Sequence, residues 1–319
     1  MAGPPPTSFD TADFVPTDDA VTLEDGLPSK TPPLTALATR LAETPEAPWL
    51  FMPEDATRWR WRSWRAVALR ARAAAAQLAP DAPDISDRLR DATQLVVDST
   101  LDFDGAAALL AVWLLGRTAV PVPGNSQLAP WDLASVPRLP LTDDVGPFDA
   151  FEPSSAPAAT LDLTAARRAA TIVDGCIVPL ATLERAALAN LPSREEAVPA
   201  RRRWFGLLPP RAQRPIALCA GSFADAAVLR LLLWSVQVDA TLVLVPPTWD
   251  WLHAALWVRP TVVLAEADDA LALAQALALP RHRRAMRLRH VILRADRLDE
   301  ADRTSWIDFD VSLHLSPLD

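Results

Sequence analysis

The 319-residue chain has no tyrosine, and its one lysine, Lys30, lies in a polar N-terminal segment. Its nine glycines, at 3, 26, 105, 116, 124, 146, 175, 206 and 221, are never closer together than eight positions. A phosphate-cradling loop needs clustered glycines, because a Cβ blocks close approach of backbone amides and positive φ is costly elsewhere. No such loop can be written anywhere in this chain. The two cysteines, Cys176 and Cys219, and the four histidines lack metal-ligand spacing, so buried free thiols in a reducing compartment are expected. The N-terminus lacks a basic n-region and an apolar h-region, and no charge-free apolar run reaches membrane-spanning length. A cytoplasmic protein without a membrane partner is the expectation. A net charge of −9 also argues against a nucleic-acid partner, which demands a positive field.

Half of the residues are hydrophobic, enough to offset the ordering entropy of a globule. Residues 1–30, rich in Pro, Asp and Thr, read as a loosely attached tail. Apolar spacing predicts a helix over Leu34–Glu43, and Trp49-Leu-Phe-Met reads as a strand. The alternation of Trp59 and Trp61 with Arg58, Arg60 and Arg62 predicts a second strand with one buried and one solvated face, rather than a base-stacking groove. Ser63 is placed to cap a helix over Trp64–Leu78.

A weak internal repeat follows. Leu95-Val-Val-Asp, Asp104, an apolar helix through Trp113 and Ala119-Val-Pro-Val are matched by Ile216-Ala-Leu-Cys, Asp225, an apolar helix through Trp234 and Thr241-Leu-Val-Leu-Val. Each copy is a βαβ unit with parallel strands. Prolines crowd residues 121–158, which read as a long connection between subdomains. A further unit comprises a helix around Trp249–Trp257, the strand Thr261-Val-Val-Leu-Ala and a helix over Asp268–Leu279. The strand-like segments His290-Val-Ile-Leu and Val311-Ser-Leu-His-Leu close the chain. The fold class is therefore α/β, as two stacked α/β subdomains with partly parallel sheets over residues 31–150 and 151–319.

This order of elements resembles the N-terminal domain of the adenylate-forming (AMP-binding, acyl-CoA synthetase-like) superfamily. Leu34 to Trp49 resembles its opening helix with the "TPDAPAL" sequel, and Trp61-Arg-Ser-Trp-Arg-Ala-Val its "TYAEL" strand and helix. Ala106–Pro121 is similar to "ALLAVLKAGAVYVPL", Ala240–Pro247 to "GATLVLPP", Val258–Leu264 to "ERPTVL" and Leu288–Leu298 to "LRLVISGGAPL". The resemblance covers residues 31–319 and rests on many weak motifs in the right order.

The departures bear on function. Where the resemblance implies the phosphate loop "TSGTTGxPKG", the chain has Thr164-Ala-Ala-Arg167-Arg168-Ala-Ala-Thr171, with neither glycine nor lysine. The helix implied to follow is present at Thr182-Leu-Glu-Arg. The "YGxTE" motif falls on Leu315–Asp319, where Asp319 alone stands at the implied metal-binding Glu. The "SGGAPL" turn has become Arg294-Ala-Asp-Arg-Leu, and the small C-terminal domain with its catalytic lysine is expected to be absent. Hydrogen bonds to a charged phosphate contribute roughly 1.5–3 kcal/mol each, so losing two or three weakens binding on the order of 100-fold or more.

Gly221-Ser222-Phe223-Ala-Asp225 sits where a nucleophile elbow would lie but lacks its second glycine. The resemblance instead implies that Phe223 lines an acyl pocket. The basic run Arg281–Arg289, flanked by His282 and His290, reads as a solvated linker, and the paired carboxylates Asp143-Asp144 and Asp268-Asp269 receive no catalytic role. The expectation is a catalytically degenerate adenylate-forming homologue, with no cofactor, acting as a protein partner or binding a small acid or acyl ligand between the subdomains. The alternatives are a functional carboxylate–CoA ligase of acyl or o-succinylbenzoate type, using ATP and Mg with a partner chain, and an unrelated α/β enzyme built on one continuous sheet.

Overall fold

The structure is a computed structural model that describes residues 32–54, 58–78, 89, 91–122, 139, 163–173, 175–197, 214–280, 282, 287–294, 304, 306, 309 and 311–316. The expected tail, nearly all of the proline-rich connection and the expected boundary near residue 150 lie outside the described residues.

From Pro32 onward the elements run α1 (Thr35–Glu43), β1 (Pro48–Pro53), β2 (Trp59–Ser63), α2 (Trp64–Gln77), β3 (Gln94–Asp98), α3 (Phe103–Leu114) and β4 (Thr118–Val122). A 3₁₀ turn (Ala165–Arg168), β5 (Ala170–Val173), β6 (Cys176–Pro179), α4 (Leu180–Asn190) and α5 (Arg194–Ala197) follow. Then come β7 (Ile216–Ala220), α6 (Ala226–Val238), β8 (Thr241–Val245), α7 (Trp251–Val258), β9 (Val262–Ala265), α8 (Ala267–Ala278), β10 (His290–Arg294) and β11 (Ser312–Ser316).

Caps explain where the helices start. Ser63 Oγ accepts from the Ala66 amide at 3.1 Å, as expected, and opens α2. Asp102, Asp225 and Asp250 cap α3, α6 and α7 by accepting from Gly105, Ala227 and His253 amides at 2.7, 2.7 and 3.0 Å. Each such cap stabilises its helix by about 1 kcal/mol. In the first repeat the capping residue is thus Asp102. Asp104, which the sequence spacing singled out, lies within the first turn and pairs with Arg70 at 2.8 Å.

The strands form two sheets. A seven-stranded sheet has the order β11-β10-β9-β7-β8-β1-β2, and a four-stranded one the order β3-β4-β5-β6. All neighbours are parallel except β1–β2 and β5–β6. One continuous core lies between the sheets, filled by α1, α2, α3, α4 and α6 and reaching Leu50, Leu242, Leu244 and Leu264 on the large sheet and Leu95, Val97 and Ala119 on the small one. The other face of the large sheet carries α7 and α8 over Leu218, Val243, Val263 and Val291. Burial on both faces accounts for the unbroken apolar runs of β7 to β10. The expected stacked α/β architecture with partly parallel sheets is therefore present.

Two details differ from the sequence pattern. The hairpin β1–β2 joins the large sheet, with Leu50 beside Leu242 on β8, although every other strand of that sheet comes after residue 215. On β2 the sides are not cleanly sorted: Arg62 is 8% exposed beneath the Phe103 ring, while Trp61 is 43% exposed. A guanidinium over an aromatic face retains electrostatic attraction when desolvated, which lets arginine replace an apolar residue there.

Candidate functional site

The parallel strands of both sheets deliver their carboxyl ends to two βα turns that touch. The turn after β3 (Ser99 to Asp102) meets the turn after β7 (Gly221 to Asp225). Ser99 and Ser222 hydroxyls lie 2.8 Å apart, the Phe223 amide donates to the Ser99 carbonyl at 2.9 Å, and the Phe223 ring presses on Gly105. A Cβ at Gly105 would lie 2.3 Å from the Thr100 carbonyl oxygen and about as close to the Phe223 ring as packing allows, so only glycine fits there.

This junction has no free nucleophile. Ser222 Oγ donates to the Ser99 carbonyl at 3.0 Å and accepts from the Ala224 amide at 3.1 Å, so its hydroxyl is spent on the turn. Burial pushes the Cys219 thiol up to about 12, far from the reactive thiolate, with Arg294 pulling weakly the other way. Phe223 is completely buried.

In the large sheet, β7 has β8 on one side and β9 on the other; the helix after β7 leaves to one face and the helices after β8 and β9 to the other. Open α/β sheets take ligands at such a switch point, beyond the carboxyl ends of the strands. Here it is filled from within. Arg294, the last residue of β10, reaches across β9 and donates to the Ala220 carbonyl at the end of β7. Its Nη1 meets Glu266 Oε1 at 2.8 Å and its Nε faces Asp225 Oδ2 at 3.1 Å. Nη2 lies so close over Gly221 that a Cβ there would come within 2.8 Å. The surroundings are acidic: burial raises the Asp269 carboxyl, and Glu266, Asp268 and Asp250 push it the same way against the single opposing charge of Arg294.

The residues expected at the phosphate loop lie at the other sheet. Thr164 precedes the 3₁₀ turn, which contains Arg167 and Arg168, both exposed. Ala166 is fully buried, and the turn is pressed onto the end of α3, where the Ala165 carbonyl oxygen would be 2.2 Å from a Cβ on Gly116. Thr171 lies inside β5, buried, and its hydroxyl accepts from Trp113 Nε1 at 2.9 Å. Beyond it Val173 pairs with Cys176, so two residues separate β5 from β6 before α4 begins at Leu180. The described residues from Leu163 to Leu180 are taken up by the 3₁₀ turn, the β5–β6 hairpin and the start of α4. Asp319 lies outside the described residues.

Of the basic run, Arg281, Arg283 and Arg284 lie outside the described residues. His290 opens β10, as its strand-like segment predicted, and is buried, its ring bonded to His314. Among the described residues no group of three or more His, Cys, Asp or Glu side chains can hold a metal ion, and no helix is long and apolar enough to cross a membrane. The sequence reading missed Arg294 as a site-filling residue. The signal was present in the replaced glycine turn, but the arginine's target, 74 residues earlier, was not.

Neither the scan against family models nor the search of curated proteins finds a match. Solved structures do match. Unliganded O-succinylbenzoate Coenzyme A synthetase (MenE) from Bacillus subtilis aligns at 14% identity and a TM-score of 0.58, covering 89% of this chain and 60% of that one. The N-terminal subdomain of Klebsiella oxytoca NpsA, in complex with 3-hydroxyanthranilyl-AMSN, aligns at 12% identity and 0.60, covering 90% and 72%. The N-terminal domain of FACL13 from Mycobacterium tuberculosis aligns at 12% identity and 0.59, covering 89% and 75%. The chain spans about 60% of the length of two of the MenE structures it matches and 72% of a third. At these identities the likeness is one of fold, and the fold is that of the N-terminal domain of adenylate-forming enzymes.

Proposed function

We propose that the chain is a catalytically degenerate adenylate-forming-ligase-like protein, serving as a non-catalytic partner or a small-ligand-binding module. The observation that carries this reading is the compact path from Leu163 to α4, a one-turn 3₁₀ helix and a tight hairpin where an anion-cradling loop would be required. The arginine-filled, acid-lined switch point supports it from the other sheet. The second reading, an o-succinylbenzoate or acyl CoA ligase using ATP and Mg, draws only on the likeness to MenE and FACL13. Isothermal titration with ATP–Mg²⁺, with mass spectrometry for acyl-adenylates over a panel of carboxylic acids, decides between them. The expected result is no binding at millimolar ATP and no adenylate. Millimolar-or-tighter binding accompanied by adenylate formation overturns the proposal.

A further inference from the structure

The edge of the large sheet carries a pair of imidazoles whose hydrogen bonds leave no freedom of assignment. His290 opens β10 and is 6% exposed; its Nε2 lies 3.1 Å from the carbonyl oxygen of Glu196 in α5. A carbonyl only accepts, so Nε2 carries the hydrogen. In the neutral ring Nδ1 is then a lone-pair acceptor. That Nδ1 lies 2.9 Å from Nε2 of His314, which must therefore donate. His314 sits on β11, which among the described residues pairs with β10 alone, and Ile292 lies beside His314 in the register. The pair thus ties together α5, β10 and β11.

One added proton is compatible with this geometry. It enters at His314 Nδ1 and leaves the donated hydrogen in place. A second proton must go to His290 Nδ1, and it then points an N–H at an N–H across 2.9 Å between two cations whose rings are 5.1 Å apart. The only way to accept it is to separate the rings. We infer that the His290–His314 pair is an acid-released latch on β11, holding the edge strand while it carries at most one proton and letting it go with two.

The neighbouring groups do not override this. Glu196 on α5 is the one carboxylate facing both rings among the described residues; its own ionisation is favoured chiefly by the Ser193 hydroxyl and amide, and then by the imidazoles. β9 brings the apolar Val262 beside His290. α4 also packs on β11, but its Glu184 accepts from the Leu34 amide, and its Arg185 donates to Ala181 and Thr182 in its own first turn. The His314 imidazole is held below its ordinary value, first by burial and then by His290, with Glu196 opposing. Lowered basicity in the folded state means that the contribution to stability is complete above the ordinary histidine pKa and is lost as the pH falls below it.

Amide hydrogen–deuterium exchange on the whole chain tests the latch. Protection at Leu313 to Leu315 is expected to fall roughly tenfold or more between about pH 7.5 and pH 5, while amides of β3 and β4 keep theirs. In His314→Gln the side-chain amide still donates to His290 Nδ1 but takes no charge, so protection at neutral pH persists and the acid-induced loss disappears. An equal loss in β3 and β4, the same loss in His314→Gln, or no loss in the wild type overturns the proposal. Should the variant fail to fold, imidazole nitrogen NMR of the wild type replaces it. Two well-separated protonation steps shared by the rings are expected, and two independent single titrations overturn it.

Discussion

Asp102 caps α3, yet its carboxyl is raised from 3.8 to about 6, chiefly by burial, against the lowering effect of the Gly105 amide and with Asp104 and Asp98 adding repulsion. A carboxyl harder to ionise in the folded chain is one for which folding prefers the protonated form. Its stabilising contribution is complete below the unfolded value and is lost as the pH rises through about 6. Raising the carboxyl from 3.8 to about 6 corresponds to about 3 kcal/mol across the full titration. Asn supplies a comparable capping oxygen with no charge to desolvate. Chemical denaturation of the wild type and Asp102→Asn at about pH 4 and about pH 8 should show the variant gaining about 2 kcal/mol more at the higher pH, since part of the contribution is already lost at pH 4. Taking the difference between the two pH values cancels shape effects and the opposing contribution of His314. An effect that is the same at both pH values refutes the reasoning.

Gly116 has φ +69°, and a Cβ on it would lie 2.2 Å from the Ala165 carbonyl oxygen, so Gly116→Ala should cost at least about 2 kcal/mol in a urea melt by expelling the 3₁₀ turn. Cys176 is exposed and Cys219 is buried, with its thiol pushed up to about 12. A thiol reagent near neutral pH should therefore modify one cysteine in the native chain and two only after denaturation.

Much of the architecture was legible because local patterns and burial agree. The apolar runs Leu95–Val97, Ile216–Ala220 and Thr241–Val245 are strands because both faces are covered, and Ser63 caps α2 because its hydroxyl meets an orphan amide. What failed is what depends on partners far along the chain. Arg62 looked solvated until the ring of Phe103 was placed above it, and the hydrogen bond between His290 and His314 had no signal along the chain before β10 and β11 were paired. The missing glycines set residues 164–171 apart from the loop that the resemblance implies. They could not indicate that Thr171 would be a strand residue bonded to Trp113, since that contact spans 58 positions. Arg294 is the clearest case: a substituted glycine is visible in one dimension, whereas the strand ends it bridges meet only in three.

The placement of β1 has a consequence for how the protein is made. Leu50 finds its neighbour Leu242 only after 192 further residues have been synthesised. At 5–20 residues per second that is a delay on the order of ten to forty seconds. Throughout it, the nascent hairpin emerges with an apolar strand whose inner edge has nothing to pair with. Its outer rim, Arg58 and Arg60, is charged, which discourages other chains from docking there in the meantime. Ribosome pausing ahead of β8 should therefore raise the yield of aggregate, whereas pausing after it should not.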